Sequence, residues 1–460
     1  MTRVLGRFVS LEMALLGLCE LALSFLVIYL MLTTQSTLAE RASAVGLFAD
    51  SASLAGLLAS IILMTAAVIG LYRPEICIER RRLLINTSVA GILAFPVVLF
   101  VTGSLHIGLP GHALVGLAKV LFAWLVCMTA SRFVFLHLMR ERWFVRRILI
   151  LGGRARAARV RQWTGSGRGR LFEPILPAVD ANNAMLEEPP SASALRRERI
   201  WGIVVTDEEI ASPNTLPVTQ LLDCKLRGVP VFNEASFCEQ HLGRIDLDSL
   251  RADWLLFADG FANGWATNTI KRSLDIGASL VMLLLTLPLM LLTALLIRLD
   301  TPGPVLYRQT RVGLHGRPFT LLKFRSMTID AEASGNARWA SQQDPRITRV
   351  GSFIRPMRID ELPQLLNVLL GEMSLIGPRP ERPQFVEQLS RIIPFYRERS
   401  YVKPGITGWA QVNFPYGASV EDARQKLSYD LYYVKNRSLL LDLLILLATV
   451  RVILFREGAR

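Results

Sequence analysis

The sequence predicts a membrane protein of three parts: a bundle of four transmembrane helices over residues 1–140, a small α/β domain over 145–255, and a C-terminal α/β domain over 266–460. Hydrophobic side chains make up 51% of the 460 residues and charged side chains only 20%. That charge content is too low for intrinsic disorder or for an ordinary cytosolic enzyme. Apolar stretches are concentrated before residue 140, whereas the net positive charge is concentrated after residue 266, where 26 Lys and Arg face 16 Asp and Glu.

Four apolar stretches precede residue 140, and each has about the 20 residues that a helix needs to cross a bilayer. The fourth is interrupted by Lys119 and Arg132, which lie near its ends, where long basic side chains can reach the headgroups. A buried helix of a soluble protein is the alternative for each stretch, most of all for the fourth. The stretches cover residues 13–32, 51–71, 83–101 and 114–135.

Basic residues in the loops predict the orientation of these helices. Arg73 and three arginines at 80–82 lie in the second loop, whereas the third loop, residues 102–112, has no Lys or Arg. Because cytoplasmic loops carry the excess of Lys and Arg, both ends of the bundle are predicted to be cytoplasmic. Glu20 lies within the first stretch, and its role is left open between a substrate or proton path and a packing or snorkelling role.

A parallel α/β domain of Rossmann-like type is predicted over residues 145–255. Strands are predicted at 147–151, 200–206 and 228–232, with a helix at 215–227, and this alternation is typical of a parallel sheet. The glycine pair that follows the first strand lacks the GxGxxG spacing of dinucleotide sites. A scaffold or regulatory role is therefore favoured over nucleotide binding.

Residues 276–297 form an uncharged stretch that is long enough to span a bilayer, but two features favour a re-entrant helix. Basic residues flank it on both sides, beginning with Lys271 before the stretch and with Arg298 after it. A full crossing would place the more basic flank outside. Pro288 lies near the midpoint, where its ring removes a backbone hydrogen bond and bends the helix. A fifth spanning helix with a proline kink is the alternative. The last apolar segment, residues 439–455, is predicted to be an interfacial or packed helix.

The segment around Asp360 and Glu361 is chemically the richest. Asp360 is followed by Pro363 and then by leucines, which predicts that it caps the N-terminus of a short amphipathic helix. The helix N-terminus and nearby Arg355 and Arg358 would hold its carboxylate ionised, as a nucleophile or as a metal ligand. An ordinary capping pair is the alternative for such an Asp-Glu sequence.

Arg379 lies between Pro378 and Pro380 in a short glycine-proline segment. Two prolines restrict the backbone, and a guanidinium fork held in this way is suited to phosphate. A rigid turn with a solvated arginine is the alternative.

A series of motifs in fixed order makes the last third of the chain resemble the bacterial monotopic phosphoglycosyl transferases. The resemblance covers about residues 268–457, and the helices and α/β domain ahead of it resemble the long, exopolysaccharide-initiating members of that superfamily. The motifs are Lys271-Arg272-Ser273-Leu274-Asp275, Pro302-Gly303-Pro304-Val305, Gln309 with Arg311 and Gly313, Lys323-Phe324-Arg325-Ser326-Met327, Asp360-Glu361-Leu362-Pro363-Gln364, Ile376-Gly377-Pro378-Arg379-Pro380, Lys403-Pro404-Gly405-Ile406-Thr407-Gly408 and Tyr429-Asp430.

This resemblance implies transfer of a hexose 1-phosphate from a UDP-sugar to undecaprenyl phosphate, with Mg²⁺, on the cytoplasmic face of the bacterial inner membrane. It implies that Asp360 is the nucleophile that forms a phospho-sugar enzyme, and that Glu361 is its acidic partner and a magnesium ligand. The residues that would contact phosphates or the nucleotide, or lie near the active site, are Lys271, Arg272, Arg355, Arg379 and Asp430.

One departure from the family pattern leaves the hexose open. Many members read Asn-Gly-Arg after Gln-Val, whereas Asn413-Phe414-Pro415-Tyr416-Gly417 follows Gln411-Val412 here. The polysaccharide pathway and the oligomeric state are open too, with a homodimer as one alternative.

Two other functions compete with the transferase. A membrane-anchored sugar-nucleotide dehydratase or epimerase would need a dinucleotide fingerprint and a Tyr-x-x-x-Lys pair, and neither occurs after residue 266. A basic, non-enzymatic scaffold for polysaccharide assembly or nucleic acid would leave Asp360 and Glu361 without a role. The sequence therefore favours an enzyme that acts at a membrane on anionic substrates, without a nucleic-acid partner.

Overall fold

The described residues of the 460-residue chain form two compact units, Met1–Leu242 and Gly243–Arg460. The structure is a computed structural model. Parts of the predicted transmembrane region, residues 35–50, 73–85 and 97–110, lie outside the described residues. The structure describes residues 2–4, 7–9, 11–34, 51–68, 71–72, 86–94, 96, 111–140, 145–152, 154–165, 169, 171–176, 191–206, 218–250, 260, 264–329, 344–414, 417 and 419–454.

Helices occupy the predicted apolar stretches of the first unit. A short antiparallel pair, β1 (Thr2–Val4) and β2 (Arg7–Val9), precedes α1 (Leu11–Thr34), α2 (Ser51–Val68), α3 (residues 86–94) and α4 (Gly111–Arg140). The helices α1, α2 and α4 contain apolar segments at Leu15–Leu30, Ala52–Ala67 and Phe122–Phe135, each shorter than 18 residues. The four-helix transmembrane bundle therefore stays a prediction.

A buried polar cluster joins α1 to α4. Arg132 donates to Glu20 at 2.7 Å, and both side chains are almost wholly buried. Tyr72 donates to the same carboxylate at 2.6 Å, and Ser24 accepts a hydrogen bond from the indole of Trp124 at 2.9 Å. The prediction that Arg132 reaches the headgroups is wrong, because its guanidinium has a carboxylate partner inside the helix packing. Glu20 has the packing role that the sequence left open.

A four-stranded parallel sheet forms the rest of the first unit, in the order β4-β3-β5-β6. Three strands lie where the sequence predicts them, although the third begins three residues late. The strand β4 was not predicted, since it is four residues long and contains Pro174. The elements are β3 (Arg146–Leu151), α5 (Arg154–Thr164), β4 (Phe172–Ile175), α6 (Ala192–Arg197), β5 (Ile200–Val205), α7 (Val218–Leu226), β6 (Val231–Asn233) and α8 (Glu234–Phe237).

Alternate side chains of β3 enter two different cores. Ile148 and Ile150 pack with Phe172 and Phe237 on one face of the sheet. Leu149 and Leu151 pack on the other face, in the cluster that contains Leu195 and Leu221. This two-residue alternation, with both faces buried, explains why the strand is a continuous apolar run.

The second unit begins its regular structure with α9 (Trp265–Asp300), which is 36 residues long and continues through Pro288. Within the described residues, it is the one helix with the length and apolar composition to cross a membrane. Its buried positions, Asp275, Ser279, Thr293 and Ile297, lie on both sides of the proline. The proline thus does not end the helix. The re-entrant path of this helix stays a prediction.

A mixed α/β body follows α9 and has one main core. The hairpin of β7 (Leu306–Val312) and β8 (Pro318–Phe324) is antiparallel, whereas β9 (Ser374–Ile376) and β10 (Gly405–Thr407) are parallel. Aromatic side chains such as Tyr396, Trp409 and Tyr433 pack in this core with Ile245, which lies before α9. The helices are α10 (Arg349–Ile354), α11 (Gln364–Leu370), α12 (Pro383–Ile392), α13 (Trp409–Asn413), α14 (Val420–Asn436) and α15 (Leu439–Leu454).

Candidate active site

The carboxylates of Asp360 and Glu361 lie in a single 3-10 turn, Ile359–Glu361, between α10 and α11. Arg358 enters this turn with φ of 55°, a left-handed conformation that is uncommon for a residue with a side chain. The N-cap of α11 is Pro363. The prediction that Asp360 caps the helix is therefore wrong, because the extra 3-10 turn lies between the aspartate and the helix start.

Three cationic groups surround the buried carboxylate of Glu361. Arg379 donates to one oxygen at 2.8 Å, and Lys323 contacts the same oxygen at 3.5 Å. Arg358 contacts the other oxygen at 3.3 Å. Burial alone would raise the pKa of Glu361, but Arg379, Lys323 and Arg358 together hold that pKa well below its usual range. The three cations therefore favour the ionised form of Glu361.

Asp360 is only partly buried, and within the described chain its carboxylate has no hydrogen bond or ion pair. Burial, and next the charge of Glu361, raise the pKa of Asp360 above its usual range, against the opposite effect of Lys323, Arg355 and Arg379. The expectation that this carboxylate is held firmly ionised is thus wrong in its direction. A carboxylate with raised proton affinity and no protein partner within the described residues is suited to attack an electrophile.

The loop that carries Arg379 is held by two of the sequence motifs together. The N–H of Gly377 donates to Thr407 at 2.9 Å, and the N–H of Gly405 donates to Pro378 at 2.9 Å. A Cβ added at Gly377 would lie 2.3 Å from the carbonyl oxygen of Lys403, so this close approach requires glycine. The loop therefore presents Arg379 to Glu361 from a rigid backbone.

A buried ion pair supports the Arg379 loop from behind. Arg399 lies 2.7 Å from a carboxylate oxygen of Asp430, and it donates to the backbone carbonyl of Arg379 at 3.0 Å. Burial, and next the charge of Glu381, raise the pKa of Asp430 to about 6, although Arg399 opposes this. Asp430 thus lies behind the loop, where it touches Arg399 and not the open side of the site.

Sequence reasoning missed two of these supporting residues. Arg399 lies in no motif that was singled out, and Lys323 was quoted in a motif without a role. Burial lowers the pKa of Lys323, because desolvation disfavours its charged form. A lysine within an otherwise apolar strand, Pro318–Phe324, was the signal that could have indicated it.

Lys271 and Arg272 have protein partners at the start of α9. Lys271 donates to Asp442 of α15 at 2.7 Å. Arg272 donates to the carbonyls of Val368 and Leu369, at the C-terminal end of α11, at 2.6 Å and 2.9 Å. These contacts join the long helix to the body, and the predicted phosphate contacts of both side chains stay a prediction. Arg355, in contrast, lies close enough to Asp360 to lower its pKa.

A sequence model of the bacterial sugar transferase family matches residues 266–456, which include the whole of this site. A UDP-glucose:undecaprenyl-phosphate glucose-1-phosphate transferase from Caulobacter vibrioides is 45% identical over 196 residues, which are 42% of this chain and 73% of that protein. The chain belongs to the bacterial sugar transferase family. The 45% identity to the Caulobacter vibrioides protein, over 73% of that protein's length, shows that the chain is a member of this family.

Two further relatives align with the chain over a smaller part of their own length. A UDP-N-acetylgalactosamine-undecaprenyl-phosphate N-acetylgalactosaminephosphotransferase from Aeromonas hydrophila is 48% identical over 240 residues, 52% of this chain and 56% of that protein. An undecaprenyl-phosphate glucose phosphotransferase from Komagataeibacter xylinus is 45% identical over 194 residues, 41% of this chain and 36% of that protein. The chain thus spans about half of the first relative and about a third of the second, and the names of these two relatives give two different sugars.

Proposed function

We propose that this protein transfers a hexose 1-phosphate from a UDP-sugar to undecaprenyl phosphate through a covalent intermediate on Asp360, as the first membrane step of exopolysaccharide synthesis. One observation carries the proposal: two adjacent carboxylates have opposite surroundings. Glu361 is paired with three cations, whereas Asp360 is partly buried, has no hydrogen bond or ion pair within the described residues and has a raised pKa. The names of the relatives, which give undecaprenyl-phosphate sugar-phosphate transfer, support the reaction class.

Two displacements at phosphorus make up the proposed reaction. An oxygen of ionised Asp360 attacks the phosphorus next to the sugar, the bond from that phosphorus to the bridging oxygen breaks, and UMP leaves. An oxygen of the lipid phosphate then attacks the same phosphorus, and the bond to Asp360 breaks. The products are UMP and the lipid-linked sugar diphosphate, and the carboxylate is regenerated.

The cations around Glu361 reduce the electrostatic barrier to these steps. A carboxylate that approaches a diphosphate meets like charge, so that positive groups must be near the reacting phosphorus. Arg379 is about one-third exposed, and Arg355 is close to Asp360, so both can face a phosphate while the Asp360 carboxylate attacks. Glu361 holds Arg379 and Lys323 in place, and it is a positioning residue in this proposal.

Magnesium belongs to the proposal as an ion shared with the substrate. Within the described residues, no group of three His, Cys, Asp or Glu side chains could hold a metal ion. Mg²⁺ is commonly bound by one or two carboxylates together with substrate phosphates. Both oxygens of Glu361 already face cations, which leaves a carboxylate oxygen of Asp360 as the protein ligand that fits. The ion would neutralise phosphate charge there.

Contacts at both ends of α9 support a re-entrant path on the cytoplasmic face of the inner membrane. Lys271 and Arg272 contact α15 and α11 near the start of the helix. Near its end, the carboxylate of Asp300 accepts a hydrogen bond from the N–H of Val350 at 3.1 Å. A single crossing would carry the two ends to opposite faces of the bilayer, whereas these contacts hold both ends on one folded unit.

The proposal is tested by trapping the intermediate. Purified protein is incubated with a panel of UDP-hexoses without lipid acceptor, and the peptide that contains Asp360 is measured by mass spectrometry. We expect an added phospho-hexose mass with the correct donor, release of one UMP per protein, and ping-pong kinetics. Asp360→Asn should remove the adduct and lower turnover by about 10³-fold or more, because the amide keeps the shape but is no nucleophile.

Asp248→Asn is the matched control, because it makes the same chemical change in a surface ion pair with Arg424. It should keep turnover within a factor of about two. Near-normal turnover of Asp360→Asn, or an adduct on a different residue, would show that the nucleophile is misassigned. A homodimer stays a prediction, and the mass of the purified protein in detergent measures it.

A further inference from the structure

The carboxyl edge of the parallel sheet in the first unit has the geometry of a ligand site. The connection from β3 through α5 leads to β4 on one side of β3, and the next connection through α6 returns to β5 on its other side. Successive strands are thus added first on one side of β3 and then on the other, so the winding of the sheet changes direction between the parallel neighbours β3 and β5. In open parallel sheets, ligands bind outside the carboxyl ends of the strands at such a point.

The two described residues at this point are Gly152, which follows β3, and Thr206, which follows β5. The N–H of Thr206 donates to the carbonyl of Leu151 at 2.8 Å, which fixes the end of one strand against the other. A Cβ built on Gly152 would lie 1.7 Å from the hydroxyl oxygen of Thr206. The hydroxyl oxygen is thus the Thr206 atom that lies nearest to this Cβ position on Gly152, two residues before the start of α5.

Thr206 is fully buried, and its hydroxyl has no hydrogen-bond partner in the part of the chain that the structure describes. A buried hydroxyl without a partner destabilises a fold, whereas a valine of the same shape would not. A ligand atom near the start of α5 could supply the hydrogen-bond partner that this hydroxyl lacks.

The helix α5 favours an anion at the same place. It has 11 residues, begins at Arg154, and contains four arginines and no acidic residue. The N–H groups of its first turn lack partners within the helix, and its dipole adds partial positive charge. Two of the arginines, Arg156 and Arg159, contact Glu234 at the start of α8, at 3.1 Å and 3.4 Å.

From these observations we infer that the edge formed by Gly152, Thr206 and the N-terminus of α5 binds a phosphoryl group. Phosphoryl oxygens accept from both a hydroxyl and helix N–H groups, which are the donors present here. This site belongs to the first unit, and it does not depend on the proposed transferase reaction. Inorganic phosphate, pyrophosphate and a nucleoside monophosphate share this chemistry, and the experiment distinguishes them.

Equilibrium dialysis of the full-length protein in detergent tests the inference, with labelled phosphate, pyrophosphate, AMP and UMP as the probes. Thr206→Val should weaken binding of the recognised probe at least tenfold. If the probe also binds to the second unit, the variant should bind one probe molecule fewer per protein than wild type. The same variant should melt at a higher temperature than wild type without a probe, because it removes the unsatisfied hydroxyl, and the probe should no longer raise that temperature.

Two matched variants keep the result interpretable. Thr206→Ser retains the hydroxyl and should bind like wild type. Thr164→Val removes another buried hydroxyl of the first unit, one that already donates to the carbonyl of Arg161, and should also bind like wild type. Equal binding by wild type and Thr206→Val overturns the inference, and so does the absence of binding of all four probes to wild type.

Discussion

Two adjacent carboxylates differ in proton affinity because different groups surround them. Arg379, Lys323 and Arg358 stabilise the anion of Glu361, whereas burial and the charge of Glu361 itself destabilise the anion of Asp360. In the proposed reaction only the anionic form of Asp360 attacks, so turnover should rise with pH through its raised pKa. This acidic limb should lie above the ordinary aspartate pKa of about 3.9.

Glu361→Gln should lower turnover by about 100-fold and move the acidic limb of kcat/KM to lower pH. The lost carboxylate releases Arg379 and Lys323 from their positions, which accounts for the slower reaction. It also removes a negative charge that raises the pKa of Asp360, so the residual activity persists into more acidic solution. The pH profile of the residual activity, measured by UMP release, checks both parts.

The magnesium dependence of the same variant separates two roles for Glu361. A positioning role leaves the magnesium requirement unchanged, whereas a role as ligand raises it. Glu421→Gln is the control, since Glu421 lies at the exposed start of α14. The acidic limb of kcat/KM in this variant should lie at the same pH as in wild type. A limb that moves to higher pH in Glu361→Gln would contradict the charge argument.

At the scale of elements, the sequence predicted strands and helices better than it predicted their pairing. The strands β3 and β5 are apolar runs and were predicted, but their direct pairing and the order of the sheet depend on contacts between distant parts of the chain. The motifs at Gly377 and Gly405 were recognised one by one. That they form one parallel pair which holds Arg379 follows only from the fold. The Asp360 cap failed because local patterns do not distinguish a 3-10 turn from a helix start.

Arg399→Lys should raise KM for the donor and lower kcat/KM by roughly 10- to 100-fold, because Arg399 acts through the loop that presents Arg379. Lysine keeps the charge beside Asp430 but cannot also reach Tyr396 and the carbonyl of Arg379 with a planar fork. In a double-mutant cycle, Arg399→Lys should add little to Arg379→Ala, since both would remove the interaction that is proposed between Arg379 and the donor.

Arg391→Lys is the matched control for that cycle. Arg391 is an exposed arginine of α12 that pairs with Glu387, and its kinetic constants should equal those of wild type. Full additivity of Arg399→Lys and Arg379→Ala would show that Arg399 does not act through the loop.

For the whole molecule, hydropathy and loop charges predict a membrane topology, and this topology stays a prediction. The buried pair of Glu20 and Arg132 is compatible with helices that pack together, since each charge has a partner where water is excluded. The middle of α9 exposes large apolar side chains such as Leu284, Leu285 and Leu291. Because both ends of α9 contact one folded unit, these side chains are expected to enter the membrane from a single face.

Labelling of single cysteines in intact cells tests this topology, after the five native cysteines have been replaced. The loop charges predict that residues 33–50 lie outside, so that Ser36→Cys should react with a membrane-impermeant maleimide. Two further labelling sites are Lys225→Cys and Thr310→Cys. Lys225 is exposed on α7 of the sheet domain, and Thr310 is exposed on β7, which follows α9. Both should react only after the cells are opened. External labelling of Lys225→Cys would reverse the orientation of the N-terminal helices. If Thr310→Cys alone reacted from outside, α9 would cross the bilayer, and a body held against both of its ends could not then lie on the cytoplasmic face.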